Sequence, residues 1–362
     1  MLQRLSDFFA SFWSASRQTT RASQDRLSAQ AQMRDISTRK NDVISSEFTS
    51  LPQPTGPYRV GVYCLDLFDT TRPSPEWPHG RLVPLWIYFP IGKEPQKQHQ
   101  KPIEKRAFDG FGIIPKWEKL NISSYSTPCS NLNDLRTSCP VILFNHGNSC
   151  LATDSSFLNE ELASHGYIVI SIQHQLFSDI CIPEYLEKRS TENWSGVIRN
   201  LLFVFQYLQQ NSASFTYFDL ARVGLIGYSM GAHALALLSQ HTSYGYSGAS
   251  LLPHNTKNFR ECLITLDCHR IQAPVQSSCP LFMLNAGHRK AIQKKNGEYC
   301  LLKQHHHRIE YYPGAIHASF CDMAYLNMQS EEFCWFEGST NQRLSFFNTI
   351  RLQIVNFLQK YL

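Results

Sequence analysis

Gly227-Tyr228-Ser229-Met230-Gly231 is the stretch of this 362-residue chain whose residue types and spacing can do chemistry. It follows the apolar run Val223-Gly224-Leu225-Ile226 and precedes an Ala/Leu-rich segment, Ala232 to Leu238. Gly-x-Ser-x-Gly between a buried strand and a helix predicts a nucleophile elbow, a turn so tight that small residues must flank the serine two positions away on each side. The hydroxyl then stands clear of the sheet at a helix N-terminus. There a base can reach it, and backbone N–H groups can hold a developing oxyanion. The chemistry this permits is acyl transfer through the serine. The pentapeptide alone would also fit an ordinary strand-to-helix turn; the strand before it and the helix after it carry the functional reading.

A serine nucleophile needs a base, and the base needs an orienting carboxylate. The expected chain order is Ser, acid, His, with each group at the C-terminal end of a strand. His317 is the candidate base, because Tyr312-Pro313-Gly314-Ala315-Ile316-His317 turns back over the sheet five residues after the last predicted strand. His305, His306 and His307 precede that strand, on its wrong end, and read as a solvated loop rather than a metal site. His288 lies in a basic stretch with Arg289 and Lys290, and His233 on the helix behind the serine reads as packed. The usual position for the acid follows Leu281-Phe282-Met283-Leu284-Asn285, where the chain reads Ala286-Gly287-His288-Arg289-Lys290 without a carboxylate. One strand earlier, Leu263-Ile264-Thr265-Leu266 ends in Asp267. An Asp at the end of a buried strand is costly unless something pairs with it, and a histidine N–H is the obvious partner. Asp267 is therefore the candidate acid. The oxyanion donors expected are two backbone N–H groups, that of Met230 and that of Asn148. The second lies in His146-Gly147-Asn148-Ser149, the loop after the buried strand Val141–Asn145.

The elements that must hold these groups alternate. Strands are predicted over Tyr58–Leu67, Leu82–Phe89, Val141–Asn145, Tyr167–Ile172, Val223–Ile226, Cys262–Leu266, Leu281–Asn285 and Arg308–Tyr312. Helices are predicted over Phe157–His165, Asn193–Gln210 and Leu344–Leu362. Pro84 demotes the second strand to a position near a sheet edge. This alternation predicts an α/β fold, a mainly parallel sheet with helices on both faces, and the two opening strands with no helix between them predict an antiparallel start.

Composition narrows the classes. Hydrophobic residues make up 43% of the chain, enough for a large core, and no run of about 18 apolar residues is present to span a membrane. No apolar segment with a cleavage site opens the chain, so no secretory signal is expected, and Leu2 excludes N-myristoylation. The eleven scattered cysteines contain no Cys-x-x-Cys pair and point to a reducing compartment, hence a cytoplasmic location. A net charge of +5, dispersed, argues against nucleic acid as a partner. No cofactor and no metal are expected. Residues 1–55 differ from the rest. Leu2, Leu5, Phe8, Phe9, Phe12 and Trp13 share one side of a helix, followed by Arg17, Arg21, Arg26, Arg34, Arg39 and Lys40. An interfacial helix giving peripheral membrane contact, a transit peptide and an amphipathic helix docked on the domain remain three open readings. The expected organisation is a 1–55 extension and linker and a 56–362 catalytic domain, with an insertion over 91–140.

These motifs together resemble the platelet-activating-factor acetylhydrolase family, serine-dependent α/β-hydrolases of the plasma and intracellular type II kind. The matching pieces are Thr55-Gly56-Pro57-Tyr58-Arg59-Val60-Gly61, Leu85-Trp86-Ile87-Tyr88-Phe89-Pro90, Phe144-Asn145-His146-Gly147 and Leu162-Ala163-Ser164-His165-Gly166-Tyr167-Ile168-Val169. To these are added the elbow, Leu266-Asp267 and Pro313-Gly314-Ala315-Ile316-His317. The resemblance implies an α/β-hydrolase fold, with the acid directly after the strand that follows the elbow helix. It also implies calcium-independent hydrolysis of the sn-2 ester of phospholipids with a short or oxidised acyl chain. Ser229 would form an acyl-enzyme, with His317 as base and then acid. The family usually has His where Tyr228 stands, Gly where Ala232 stands and an aromatic residue after the acid, where this chain has Cys268-His269. These departures leave substrate identity less defined than mechanism. A short-chain carboxylesterase or thioesterase with the same three residues, and a non-catalytic binding protein on the same fold, are the rival readings.

Overall fold

Every residue of Cys139–Asn145 is buried, as a strand covered by helices on both faces must be. The structure is a computed structural model. It describes residues 51–73, 78–93, 124–147, 150–174, 189–240, 260–268, 279–287, 307–322 and 340–362. The predicted amphipathic segment, His288, His305, His306 and Asn148 lie outside the described residues.

In chain order the strands are β1 (Arg59–Asp69), β2 (Arg81–Ile91), β3 (Ser126–Pro128), β4 (Cys139–Asn145) and β5 (Ile168–Ile172). They continue with β6 (Phe218–Tyr228), β7 (Arg260–Leu266), β8 (Leu281–Ala286) and β9 (His307–Tyr312). The described helices are α1 (Ser156–Ser164), α2 (Arg189–Gln210), α3 (Met230–Gln240) and α4 (Thr340–Tyr361). The strands form one sheet in the order β3-β1-β2-β5-β4-β6-β7-β8-β9. From β5 to β9 every pairing is parallel, and β1 and β2 join as antiparallel neighbours. The antiparallel start and the parallel body are both as expected. Successive side chains of a strand point to opposite faces. Val141 and Leu143 thus enter one apolar layer with Leu201 and Phe205 of α2 and Leu235 of α3. Ile142 and Phe144 enter the other with Leu158 and Leu162 of α1 and Ile354 and Leu358 of α4.

Two features go beyond the sequence expectation. β2 lies near the sheet edge, as Pro84 led one to expect, but third from it and paired on both sides. Its ladder with β5 ends at Leu85↔Ile172, and the Pro84 carbonyl accepts from Gln173 N–H at 2.9 Å. The amide nitrogen and carbonyl of one strand residue face the same side, so the missing N–H of Pro84 faces past the end of that ladder. The second feature is β3, which adds a three-residue parallel strand to β1 from within the predicted 91–140 insertion. Three residues are too few to show a period. What holds them is the buried Glu160 of α1, whose carboxylate accepts from Ser124 Oγ, Tyr125 N–H (3.2 Å), Ser126 N–H (3.3 Å) and Ser126 Oγ (2.9 Å).

The chain just before β1 is pinned to the domain. Thr55 N–H donates to Glu161 at 3.1 Å, Gly56 N–H to Ser164 Oγ at 3.0 Å, and Leu51 is buried. A Cβ on Gly56 would meet the Ser164 carbonyl oxygen at 2.2 Å, so only glycine can lie this close to α1. Arg351 of α4 donates to Glu161 at 2.9 Å and to the Gln53 carbonyl at 3.0 Å. Burial pushes the Glu161 pKa up. The hydrogen bonds from His165 and Thr55 and the Arg351 charge outweigh that and leave it below the ordinary carboxylate value. Arg351→Met removes the buried cation paired with this carboxylate and is expected to destabilise the fold by about 3 kcal/mol. Denaturant unfolding of the two proteins measures it, and an unchanged midpoint would count against the pairing.

Candidate active site

Only two non-glycine residues among those described have positive φ, Ser229 at 52° and Asp267 at 45°. L-residues avoid this region at a cost of roughly 1–2 kcal/mol each, and such strain gathers at functional positions. Both stand at the carboxyl ends of adjacent parallel strands, β6 and β7, where α/β sheets place their reacting groups. Neighbouring strands stabilise the two turns. Ser229 N–H donates to the Leu266 carbonyl at 2.9 Å, and Asp267 N–H donates to the Leu284 carbonyl at 2.7 Å.

The glycines of the elbow have specific neighbours. A Cβ on Gly231 would lie 2.2 Å from the Asn145 carbonyl oxygen, and one on Gly227 would lie 2.5 Å from the Gly231 carbonyl carbon. Both contacts are to backbone, which cannot swing away. The bare α-carbons let α3 start directly over the ends of β4 and β6. Its first residue is Met230, whose N–H belongs to the first turn and has no partner within the helix.

Ser229, Asp267 and His317, widely separated in the chain, are brought together. His317 Nε2 is 2.8 Å from Ser229 Oγ, and His317 Nδ1 is 2.5 Å from Asp267 Oδ2. The Asp267 side chain is fully buried, whereas the His317 side chain is 32% exposed. The other carboxylate oxygen of Asp267 accepts the Ala286 N–H at 2.9 Å. The end of β8, where a carboxylate is more usual, thus supplies a donor that holds the carboxylate of β7. A carboxylate can only accept from Nδ1, so Nδ1 carries a proton and Nε2 is left as the acceptor for the serine hydroxyl.

The loop after β4 lies against the elbow, and a Cβ on Gly147 would come within 3.1 Å of Ser229 Cβ. Beneath it is a buried polar network the sequence did not disclose. His146 Nδ1 donates to the Gly147 carbonyl at 2.8 Å, and His146 Nε2 accepts the His174 N–H at 2.9 Å. His174 in turn joins Asn145 Oδ1 at 3.1 Å and Asn200 Nδ2 at 3.2 Å. Burial pushes the His146 pKa down to about 4 and that of His174 well below its ordinary value, so the loop rests on neutral rings. The rest of the predicted oxyanion loop, with Asn148, lies outside the described residues.

The loop carrying His317 is held on both sides. Ile316 N–H donates to Ser319 Oγ at 2.9 Å. Asp322 accepts the Ser156 and Phe157 N–H groups, each at 3.0 Å, at the start of α1, where a carboxylate also meets the positive end of the helix dipole. Sequence reasoning missed Asp322, since nothing near it in the chain marks a helix more than 160 residues earlier as its partner. Tyr228 makes two contacts with the base. Its hydroxyl donates to the His317 carbonyl at 3.0 Å, and its ring stacks on the imidazole with centroids 5.2 Å apart. His233 N–H donates to the Ser229 carbonyl in the helix behind the elbow.

A parallel sheet between two helical layers, with an elbow serine over its carboxyl end, defines the α/β-hydrolase fold. A ferulic acid esterase from Streptomyces cinnamoneus has the same fold, with a TM-score of 0.63 at 16% identity over 86% of this chain and 93% of its own. Within that fold, part of the chain is similar to the platelet-activating-factor acetylhydrolases. The family model described as platelet-activating factor acetylhydrolase, isoform II, matches residues 43–214. The platelet-activating factor acetylhydrolase of Bos taurus is 32% identical over 140 residues, 35% of this chain and 29% of that protein. The protein of the same name from Cavia porcellus is 28% identical over 143 residues, 37% of this chain and 30% of that protein. The matched part of the chain thus spans about three tenths of the length of these relatives. The family match ends before Ser229, so the arrangement of Ser229, Asp267 and His317 is an observation independent of it.

Among the described residues no helix is long and apolar enough to cross a membrane, and no group of three His, Cys, Asp or Glu side chains could hold a metal ion.

Proposed function

We propose that this chain is a serine ester hydrolase that cleaves the sn-2 ester of phospholipids with short or oxidised acyl chains, without calcium. The observation that carries this reading is the relay Ser229 Oγ to His317 Nε2 at 2.8 Å and His317 Nδ1 to Asp267 at 2.5 Å. His317 takes the Ser229 proton as the oxygen attacks the ester carbonyl, and Asp267 stabilises the resulting imidazolium. The tetrahedral oxyanion develops beside the Met230 N–H, with the Asn148 N–H as the second donor in this reading. His317 returns the proton to the leaving lysolipid oxygen. Water, deprotonated by the same imidazole, then releases the short acid and restores Ser229.

The substrate class rests on the kinship with the acetylhydrolases. The aromatic and basic residues of positions 1–40 are the part of the chain this reading sets against a lipid surface, and the scattered cysteines support a cytoplasmic location.

A lipid-class screen of the purified chain, run with and without chelator beside a soluble aryl acetate, tests the proposal. Short sn-2 phospholipids are expected to be preferred, at a rate the chelator leaves unchanged. Loss of activity in chelator would overturn the calcium-independent reading. Preference for the aryl ester or a thioester would replace the substrate class and leave the relay standing. A Ser229 that no fluorophosphonate labels in folded protein would favour a binding protein.

A further inference from the structure

We infer that Tyr228, the residue before the nucleophile, is a positioning residue for the base His317. This rests on the reading of Ser229, His317 and Asp267 given above and adds a fourth side chain to it.

Tyr228 is the last residue of β6, and its side chain is buried. Its hydroxyl donates to the His317 main-chain carbonyl at 3.0 Å, across 89 positions of sequence. A phenol has a single proton, so this O–H serves no other acceptor while it holds that carbonyl. The same ring lies against the imidazole, centroids 5.2 Å apart and planes 25° from parallel. The other anchors of the loop act further from the imidazole, through Ile316 N–H and the Asp322 carboxylate. Tyr228 thus touches both the backbone of His317 and its ring.

The covalent arrangement gives the contact its meaning. Tyr228 and Ser229 share a peptide bond at the end of an interior strand. The nucleophile and the clamp on the base are therefore referred to one rigid point, and the Oγ to Nε2 separation is set by a short path. Asp267 fixes the imidazole from the opposite nitrogen, leaving rotation and slide of the ring to be limited by the tyrosine face. That face also favours positive charge next to it, which the imidazole acquires only as it takes the serine proton. Gly147 lies against the ring's edge, where a Cβ would come within 3.0 Å of Tyr228 Cδ1, so the nucleophile, the base and the loop after β4 all meet at this side chain.

The expected signature is a loss in turnover that grows with the demand made on His317. An aryl acetate has a good leaving group and needs little proton donation. An alkyl or glycerol acetate needs the imidazolium to protonate the departing oxygen. Active-site titration with a fluorophosphonate normalises each variant to its reactive Ser229, so a partly folded preparation does not count as a slow enzyme. Tyr228→Phe, which keeps the ring and loses the hydroxyl, should lower kcat on the alkyl ester by about 5- to 10-fold, with the aryl ester less affected and KM unchanged. Tyr228→Leu, which loses both contacts, should lower it by roughly 100-fold.

Equal losses on both esters, an effect confined to KM, or a Tyr228→Phe variant indistinguishable from the parent would each overturn the assignment. A parent chain that fluorophosphonate does not label would remove the relay reading and this one together. A labelled parent beside an indifferent Tyr228→Phe removes this one alone.

Discussion

Ser229→Ala is expected to lower the kcat of ester hydrolysis by on the order of 10⁴-fold or more, with the fold intact. The size follows from the relay acting as a unit. Without Oγ, the Nε2 lone pair that points at it at 2.8 Å has no proton to take, and no acyl-enzyme forms. Residual rate would come only from the oxyanion donors acting on a bound ester attacked by water. The fold survives because the contacts of Ser229 that hold the elbow are main-chain ones. Its N–H donates to Leu266 and its carbonyl accepts from His233. Alanine at φ 52° keeps the strain that serine already bears and adds little to it. Turnover and the thermal midpoint are measured on the same preparation. Appreciable activity in a folded Ser229→Ala protein would dispose of the nucleophile assignment.

Asp267→Asn is the second large effect, again about 10⁴-fold in kcat. One carboxylate oxygen accepts the Ala286 N–H at 2.9 Å and the other faces His317 Nδ1 at 2.5 Å. An asparagine can satisfy Ala286 only with its carbonyl oxygen, so its NH₂ must face Nδ1. That selects the imidazole tautomer in which Nδ1 accepts and Nε2 carries the proton. In that tautomer Nε2 cannot accept from Ser229, although every heavy atom is nearly where it was. Asp267→Ala should lose comparable activity and also stability, by roughly 1–3 kcal/mol, because a buried N–H is left unpaired. A neutral replacement that stays within tenfold of the parent rate would show that the carboxylate does not set the tautomer.

Much of the scaffold was legible because burial on both faces leaves plain apolar runs. Val141–Phe144 and Val223–Ile226 read as strands, and both lie within central strands of the sheet. What was not legible shares a cause. Pro84 carried a correct local rule, that a proline cannot donate to a ladder, but the length of the neighbouring strand decided where that rule applied. β3 had no pattern at all and depends on Glu160, a residue more than thirty positions away.

The same division runs through the site. By itself the sequence determined the strand-turn-helix at Ser229, because Gly227 and Gly231 allow backbone approaches that a Cβ would forbid. It also determined that Asp267 must find a partner, because a carboxylate at the end of the buried strand Leu263–Leu266 cannot stay solvated. Only the tertiary structure decided the separations between Ser229, His317 and Asp267. It alone turned the Tyr228 hydroxyl onto the His317 carbonyl and set Asp322 at the start of α1. Local residue types set the shape of each turn. Which turns meet is set by strand order and by the packing of loops that lie far apart in the chain, and no short window of sequence contains both partners.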